Sequence, residues 1–125
     1  MANSFAITRS SKSGLLGPVV VLTLNGFLDA HTAPEFEKTI QREYDGGQIR
    51  LIAECSGLTY ISSAGLGVFM SFIEEIRSQG GDLKICGLSP KVAQVFEILG
   101  FASIFDIVPG VEEAAALFES AAKEG

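Results

Sequence analysis

Apolar residues along this chain follow two rhythms that take turns. Val19-Val20-Val21-Leu22-Thr23-Leu24 is a dense β-branched and apolar run, which reads as a buried strand ended by Asn25-Gly26. Shorter runs of the same kind are Phe5 to Thr8, Ile49 to Ala53, Leu83 to Cys86 and Ser103 to Val108. Between them the spacing becomes helical. Phe36, Ile40 and, less closely, Tyr44 follow Thr32-Ala33-Pro34-Glu35, where Thr32 can cap, Pro34 suits the first turn and Glu35 suits the helix dipole. Leu66, Phe69, Ile73 and Ile76 repeat at three- and four-residue steps, with Val68 and Phe72 as a second apolar line. Ser89-Pro90 opens a helix with Val92, Val95, Phe96 and Leu99 on its apolar face and Gly100 closing it. Glu112 to Ala122 predicts a last helix with Leu117 and Phe118 inward. Glycine pairs at Gly46-Gly47 and Gly80-Gly81 stop the two longest helices.

Strands alternating with helices define a layered α/β domain. The expected architecture is a mixed sheet of four to five strands with about four helices. Strand–helix–strand units after residue 49 imply parallel pairing there. The polar turn Ser10 to Gly14 leaves no room for a helix between the first two strands, so that edge is expected to be antiparallel. The 125 residues make one domain, 1–125, without internal repeat or linker. A chain of this length buries roughly two thirds of its unfolded surface.

Composition narrows the partners. Hydrophobic residues are 47% of the chain and charged residues 19%, as in a globular core, and the formal charge is −6. A negative chain is a poor match for nucleic acid or an anionic membrane, and a better one for a protein with a basic or apolar face. Cys55 and Cys86 form no CxxC and read as small buried hydrophobes with free thiols, which fits the cytoplasm. No signal peptide is visible, and Pro18 to Leu24 is too short to span a bilayer.

The chemistry concentrates in Tyr60-Ile61-Ser62-Ser63-Ala64-Gly65-Leu66-Gly67, where two serines stand at a helix start. Free N–H groups and the dipole favour an anion there, so a phosphate on Ser63 has little internal cost. The plainer reading is that one serine is only an N-cap, worth about 1 kcal/mol. Serine hydrolysis lacks its partners: the one histidine, His31, is far away in sequence and reads as a surface or turn residue, and no Gly-x-Ser-x-Gly elbow exists. Gly65-Leu66-Gly67 lacks the third glycine of a dinucleotide fingerprint and the lysine of a phosphate loop. No cluster of metal ligands is visible, and no catalytic residue or cofactor is expected. Asp29 reads as a turn residue capping the segment after it.

Four segments together resemble the STAS-domain proteins, the bacterial anti-sigma factor antagonists and their relatives. Ser62-Ser63-Ala64-Gly65-Leu66-Gly67 is similar to the family's Asp-Ser-Ser/Thr-Gly-Leu-Gly string after a strand, and Gly26-Phe27-Leu28-Asp29 to its Gly-x-Leu-Asp turn. Gly80-Gly81-Asp82-Leu83 with Cys86-Gly87-Leu88-Ser89-Pro90, and Val95-Phe96 with Leu99-Gly100-Phe101, match the segments that follow. The likeness covers about residues 5–120, so the fold it implies is a single STAS-like domain. It implies a partner that is both anti-sigma factor and serine kinase, a phosphoacceptor at Ser63, and a PP2C-type phosphatase that reverses the modification. Ser62 stands where the family has an acidic residue, and Ala64 where it has a second hydroxyl. The implied contact surface is Asp29, Ser62, Ser63, Ala64, Gly65, Leu66 and Gly67; Leu66 and Phe69 can serve either core or interface, and the core is the favoured reading for each. The alternative implied by the same likeness is a sensory or interaction module without phosphorylation, binding a nucleotide or other small ligand.

Overall fold

The computed structural model describes residues 5–124, with side chains to residue 120. Its elements in chain order are β1 (Ala6–Lys12), β2 (Val19–Leu28), α1 (Ala33–Asp45), β3 (Arg50–Ile61), α2 (Ser63–Ser78), β4 (Asp82–Cys86), α3 (Pro90–Ile98), a 3-10 turn (Phe101–Ser103), β5 (Ile107–Val108) and α4 (Val111–Glu124). The five strands lie side by side in sequence order. β1 is antiparallel to β2, and β2 to β5 are mutually parallel, so the mixed sheet with an antiparallel edge is as expected.

Strand alternation divides the core in two. Val20, Leu22, Leu24, Leu51, Ala53, Leu83 and Ile85 face α1, α2 and α3, whereas Val19, Val21, Ile52 and Cys86 face Ala114 and Phe118 of α4. Phe69 of α2 is the hub of the larger side: its ring meets Phe36, Phe96 and Phe105 edge to face at 5.0, 5.9 and 5.9 Å. Lys84 points into the smaller side. It is 6% exposed, bonds Asp82 and Asp106 at 2.8 Å each, and lies 4.7 Å from the centre of the Phe118 ring. It therefore ties β4 to the segment before β5 and to α4.

Five expectations on element boundaries and facing need correction. β1 runs on to Lys12, so Ser10, Ser11 and Lys12 pair with Val21, Val20 and Val19 instead of belonging to the turn. Asn25-Gly26 does not end β2, which runs to Leu28 through register shifts on either side of this dipeptide, Gly26 taking φ 104°. β3 continues eight residues past Ala53, because Cys55, Leu58 and Ile61 still turn inward while Ser56, Thr59 and Tyr60 face solvent. Ser103 to Val108 is not one strand: Phe105 turns into the core, Asp106 reaches Lys84, and only Ile107–Val108 pair with β4. Leu99 and Leu117, expected inward, are 50% and 36% exposed; Leu99 lies at the C-cap of α3, and the space under α4 is filled by Phe118 with Ala114.

Candidate functional site

The parallel strands β2 and β3 end together, with Phe27 opposite Tyr60 and Leu28 opposite Ile61. Each then turns into a helix, so the starts of α1 and α2 share one end of the sheet. The turns are built differently. After β2, Asp29 Oδ1 accepts from the backbone N–H of His31 at 2.9 Å and of Thr32 at 3.2 Å. Thr32 Oγ1 in turn donates to Phe27 O at 2.7 Å and accepts from Asp29 N at 2.9 Å. Asp29 is thus the turn residue expected. Thr32 sits at the N-cap of α1 but makes no side-chain cap bond, because its hydroxyl is committed to the strand end. His31 is exposed in this turn.

After β3 the backbone N–H of Ser62 donates to Leu28 O at 2.9 Å, which pins the turn to the neighbouring strand. Ser62 is extended (φ −102°, ψ 173°), and its Oγ accepts from Gly65 N at 3.4 Å. Ser62 is therefore the N-cap, one of the two roles left open for the pair. Ser63 is the first residue of α2, exposed, and its hydroxyl has no hydrogen-bond partner among the described residues. The first turn of α2 has no acidic side chain, so nothing there opposes an anion on Ser63.

The next four residues separate into core and surface. Gly65 is buried, and a Cβ there would come within 2.7 Å of Leu28 Cγ and 2.9 Å of Leu28 O. Leu66 and Phe69 are 1% and 0% exposed, so both belong to the core, the reading favoured for each. Ala64 and Gly67 are exposed. With the Asp29 carboxylate held in its own turn and Gly65 and Leu66 buried, the accessible part of the expected contact surface is Ser63, Ala64 and Gly67 beside the half-buried Ser62.

Two neighbours escaped the sequence reading. The rings of Phe27 and Tyr60 are 44% and 45% exposed, on the strand ends that lead to Asp29 and Ser62. The signal available was Tyr60 next to the inward Ile61, readable only once β3 is known to continue that far. A shallow groove of about 340 Å³ also runs between the starts of α1 and α2, lined by Ala30, Ala33, Pro34, Glu37, Ala64 and Gly67 among others. A second depression, about 410 Å³ with Arg9, Lys38 and Arg42 in its walls, lies between β1 and α1 and shares no residue with the serine turn.

The cysteines are buried free thiols, as expected. Burial pushes both thiols up, Cys86 to about 11, so they are protonated and unreactive at neutral pH. Among the described residues no helix is long and apolar enough to cross a membrane.

Residues 15–114 match the STAS domain family. Over 103 residues the chain is 37% identical to BtrV of Bordetella bronchiseptica, assigned as an anti-sigma factor antagonist, spanning 82% of this chain and 89% of that protein. An anti-sigma factor antagonist from Mycobacterium paratuberculosis shares the fold at a TM-score of 0.80 and 20% identity, over 91% of this chain and 93% of the other. The anti-sigma factor antagonist SpoIIAA of Bacillus, solved in unphosphorylated and phosphorylated forms, superposes with TM-scores of 0.66 and 0.65 at 22% identity. Those two superpositions span 90% and 89% of this chain, and 94% and 96% of SpoIIAA.

Proposed function

The chain belongs to the STAS-domain family of anti-sigma factor antagonists, and on that premise we propose that it binds an anti-sigma factor that is also a serine kinase and is released when that kinase phosphorylates Ser63. The observation that carries the reading is the division of labour between the two serines. Ser62 spends its hydroxyl on capping α2, while Ser63 presents its own outward on the first turn. A kinase needs such a hydroxyl, exposed and free to be transferred to.

Phosphorylation adds about −1.5 to −2 charges at this point. The free chain tolerates them, because α2 begins there and its first turn holds no carboxylate. A partner packed closely on a neutral serine does not. Burying an unpaired dianion against it costs several kcal/mol, and each 1.4 kcal/mol is about tenfold in affinity. A PP2C-type phosphatase restores binding by removing the group. SpoIIAA, a protein of this fold, exists in both phosphorylated and unphosphorylated forms, which supports the reading by analogy. The cycle belongs in the bacterial cytoplasm.

The contact surface is Ser63, Ala64 and Gly67 with the backbone of the Ser62 turn, bordered by Phe27 and Tyr60. Asp29, Gly65 and Leu66 shape it from beneath. Incubation with the kinase and ATP, followed by mass spectrometry of the peptide that holds both serines, tests the modification. The phosphate is expected on Ser63 and absent in Ser63→Ala; phosphate on Ser62, or none, overturns the reading.

A further inference from the structure

Two glycines stand near the start of α2, and the chain's own packing accounts for only one. Gly65 has no room for a side chain, whereas a Cβ on Gly67 would meet no heavy atom within 4 Å beyond its chain neighbours and the adjoining helix backbone. Gly67 is exposed, and its φ is not positive, so left-handed freedom does not explain it. Inside a helix a glycine is less favourable than alanine, because it gives up more backbone freedom on folding. What it supplies here is a bare stretch of helix that another molecule can approach closely.

That bare stretch is one wall of the groove between α1 and α2. Ala33, Pro34 and Ala64 make the groove apolar and smooth, and Glu37 is the one ionisable residue in it. Glu37 is exposed and forms no ion pair among the described residues. The next residue, Lys38, lines the depression on the β1 side of α1 with Arg42. The two segments that flank the groove, residues 13–37 through β2 into α1 and residues 51–76 through β3 and α2, contain no lysine or arginine. A mainly apolar groove with one carboxylate, between two turns that carry no lysine or arginine, complements a long aliphatic side chain with a cationic head.

We propose that the groove receives a lysine or arginine side chain of the anti-sigma factor. Its stem lies along Ala33, Ala64 and Gly67, and its head meets Glu37. The assignment rests on the reading of the Ser63 surface as the anti-sigma factor's docking site. It also refines the switch. A phosphate beside the groove attracts the incoming cation from a distance, so phosphorylation acts through bulk and desolvation at close contact. Association then keeps its rate or gains, and dissociation accelerates.

The experiment is a titration of the kinase anti-sigma factor with wild type, Glu37→Gln and Gly67→Leu, at low and at high salt, with a thermal melt of each variant. Glu37→Gln is expected to bind about tenfold more weakly at low salt and to lose most of that deficit at high salt. Gly67→Leu fills the groove and is expected to bind about a hundredfold more weakly, with a Tm no lower than wild type. If wild type itself fails to bind, the docking reading falls and this assignment with it. If wild type binds and Glu37→Gln matches it at low salt, the occupant is not cationic, and the assignment is overturned while the docking reading stands. Wild-type affinity in a folded Gly67→Leu overturns it equally, since the groove is then empty in the complex.

Discussion

The rings of Phe27 and Tyr60 meet edge to face, with centroids 5.9 Å apart and planes at 64°, where β2 and β3 end opposite each other. Each ring is close to half exposed. Aromatic side chains that keep this much surface beside a docking site are the kind that dominate interfaces. Phe27→Ala and Tyr60→Ala should each weaken binding of the anti-sigma factor about tenfold or more, a loss of at least about 1.4 kcal/mol. Isothermal titration calorimetry reads this directly. Urea unfolding should show much smaller losses than for a fully buried ring, which cost about 3–5 kcal/mol.

Gly65 and Gly67 should respond oppositely to the same substitution. Gly65→Ala forces a Cβ against Leu28 Cγ and the Leu28 carbonyl, so α2 must move off the strand end. That overpacking should cost about 1–3 kcal/mol. Gly67→Ala meets no neighbour and improves helix propensity, for a gain of up to about 1 kcal/mol. Chemical denaturation of the pair checks the contrast, and a destabilised Gly67→Ala contradicts it.

Lys84 and Asp82 set an acid limit on stability. Burial alone pushes the Asp82 carboxyl up, but hydrogen bonds from Lys84 and Arg77 outweigh it and hold it below the usual carboxylate range. A carboxylate depressed in the folded state contributes stability above its unfolded value, about pH 4, and loses it as pH falls through its folded value. Stability should therefore drop below about pH 4, with a shallower slope in Asp82→Asn. Burial lowers the Lys84 amine, yet Asp106 and Asp82 together raise it, so Lys84 keeps its charge across the neutral range and its contribution fades only in strong base. Lys84→Ala removes the partner of both carboxylates, although Asp82 keeps Arg77 at 2.9 Å. A loss of about 2–3 kcal/mol is expected in urea unfolding at neutral pH.

The parts of this fold that follow a strict period could be read from the sequence. The β-branched run from Val19 and the helical spacing of Leu66, Phe69, Ile73 and Ile76 each have one dominant period, and their buried faces emerge as expected. The far halves of β2 and β3 were hidden because their pairing slips twice between Thr23 and Phe27, and each slip breaks the alternation that marks a strand. The candidate site lies at the end of these irregular stretches. Ser62, Ser63 and Asp29 were legible as turn and cap chemistry, which depends on local bonding alone. Phe27, Tyr60 and the groove were not, because exposure at a strand end depends on how two distant segments line up. Gly65 and Leu66 show the converse: a surface motif read along the chain includes residues that the fold turns inward.

In the proposed cycle, phosphate on Ser63 ends the interaction with the anti-sigma factor. The most direct measurement compares the affinity and dissociation rate of that partner for the unmodified chain and for the chain phosphorylated on Ser63, with Ser63→Ala as the unmodifiable control. Affinity should fall about a hundredfold or more on phosphorylation, mainly through faster dissociation, while Ser63→Ala binds like the unmodified chain. Equal affinity of the phosphorylated and unmodified chains would contradict it.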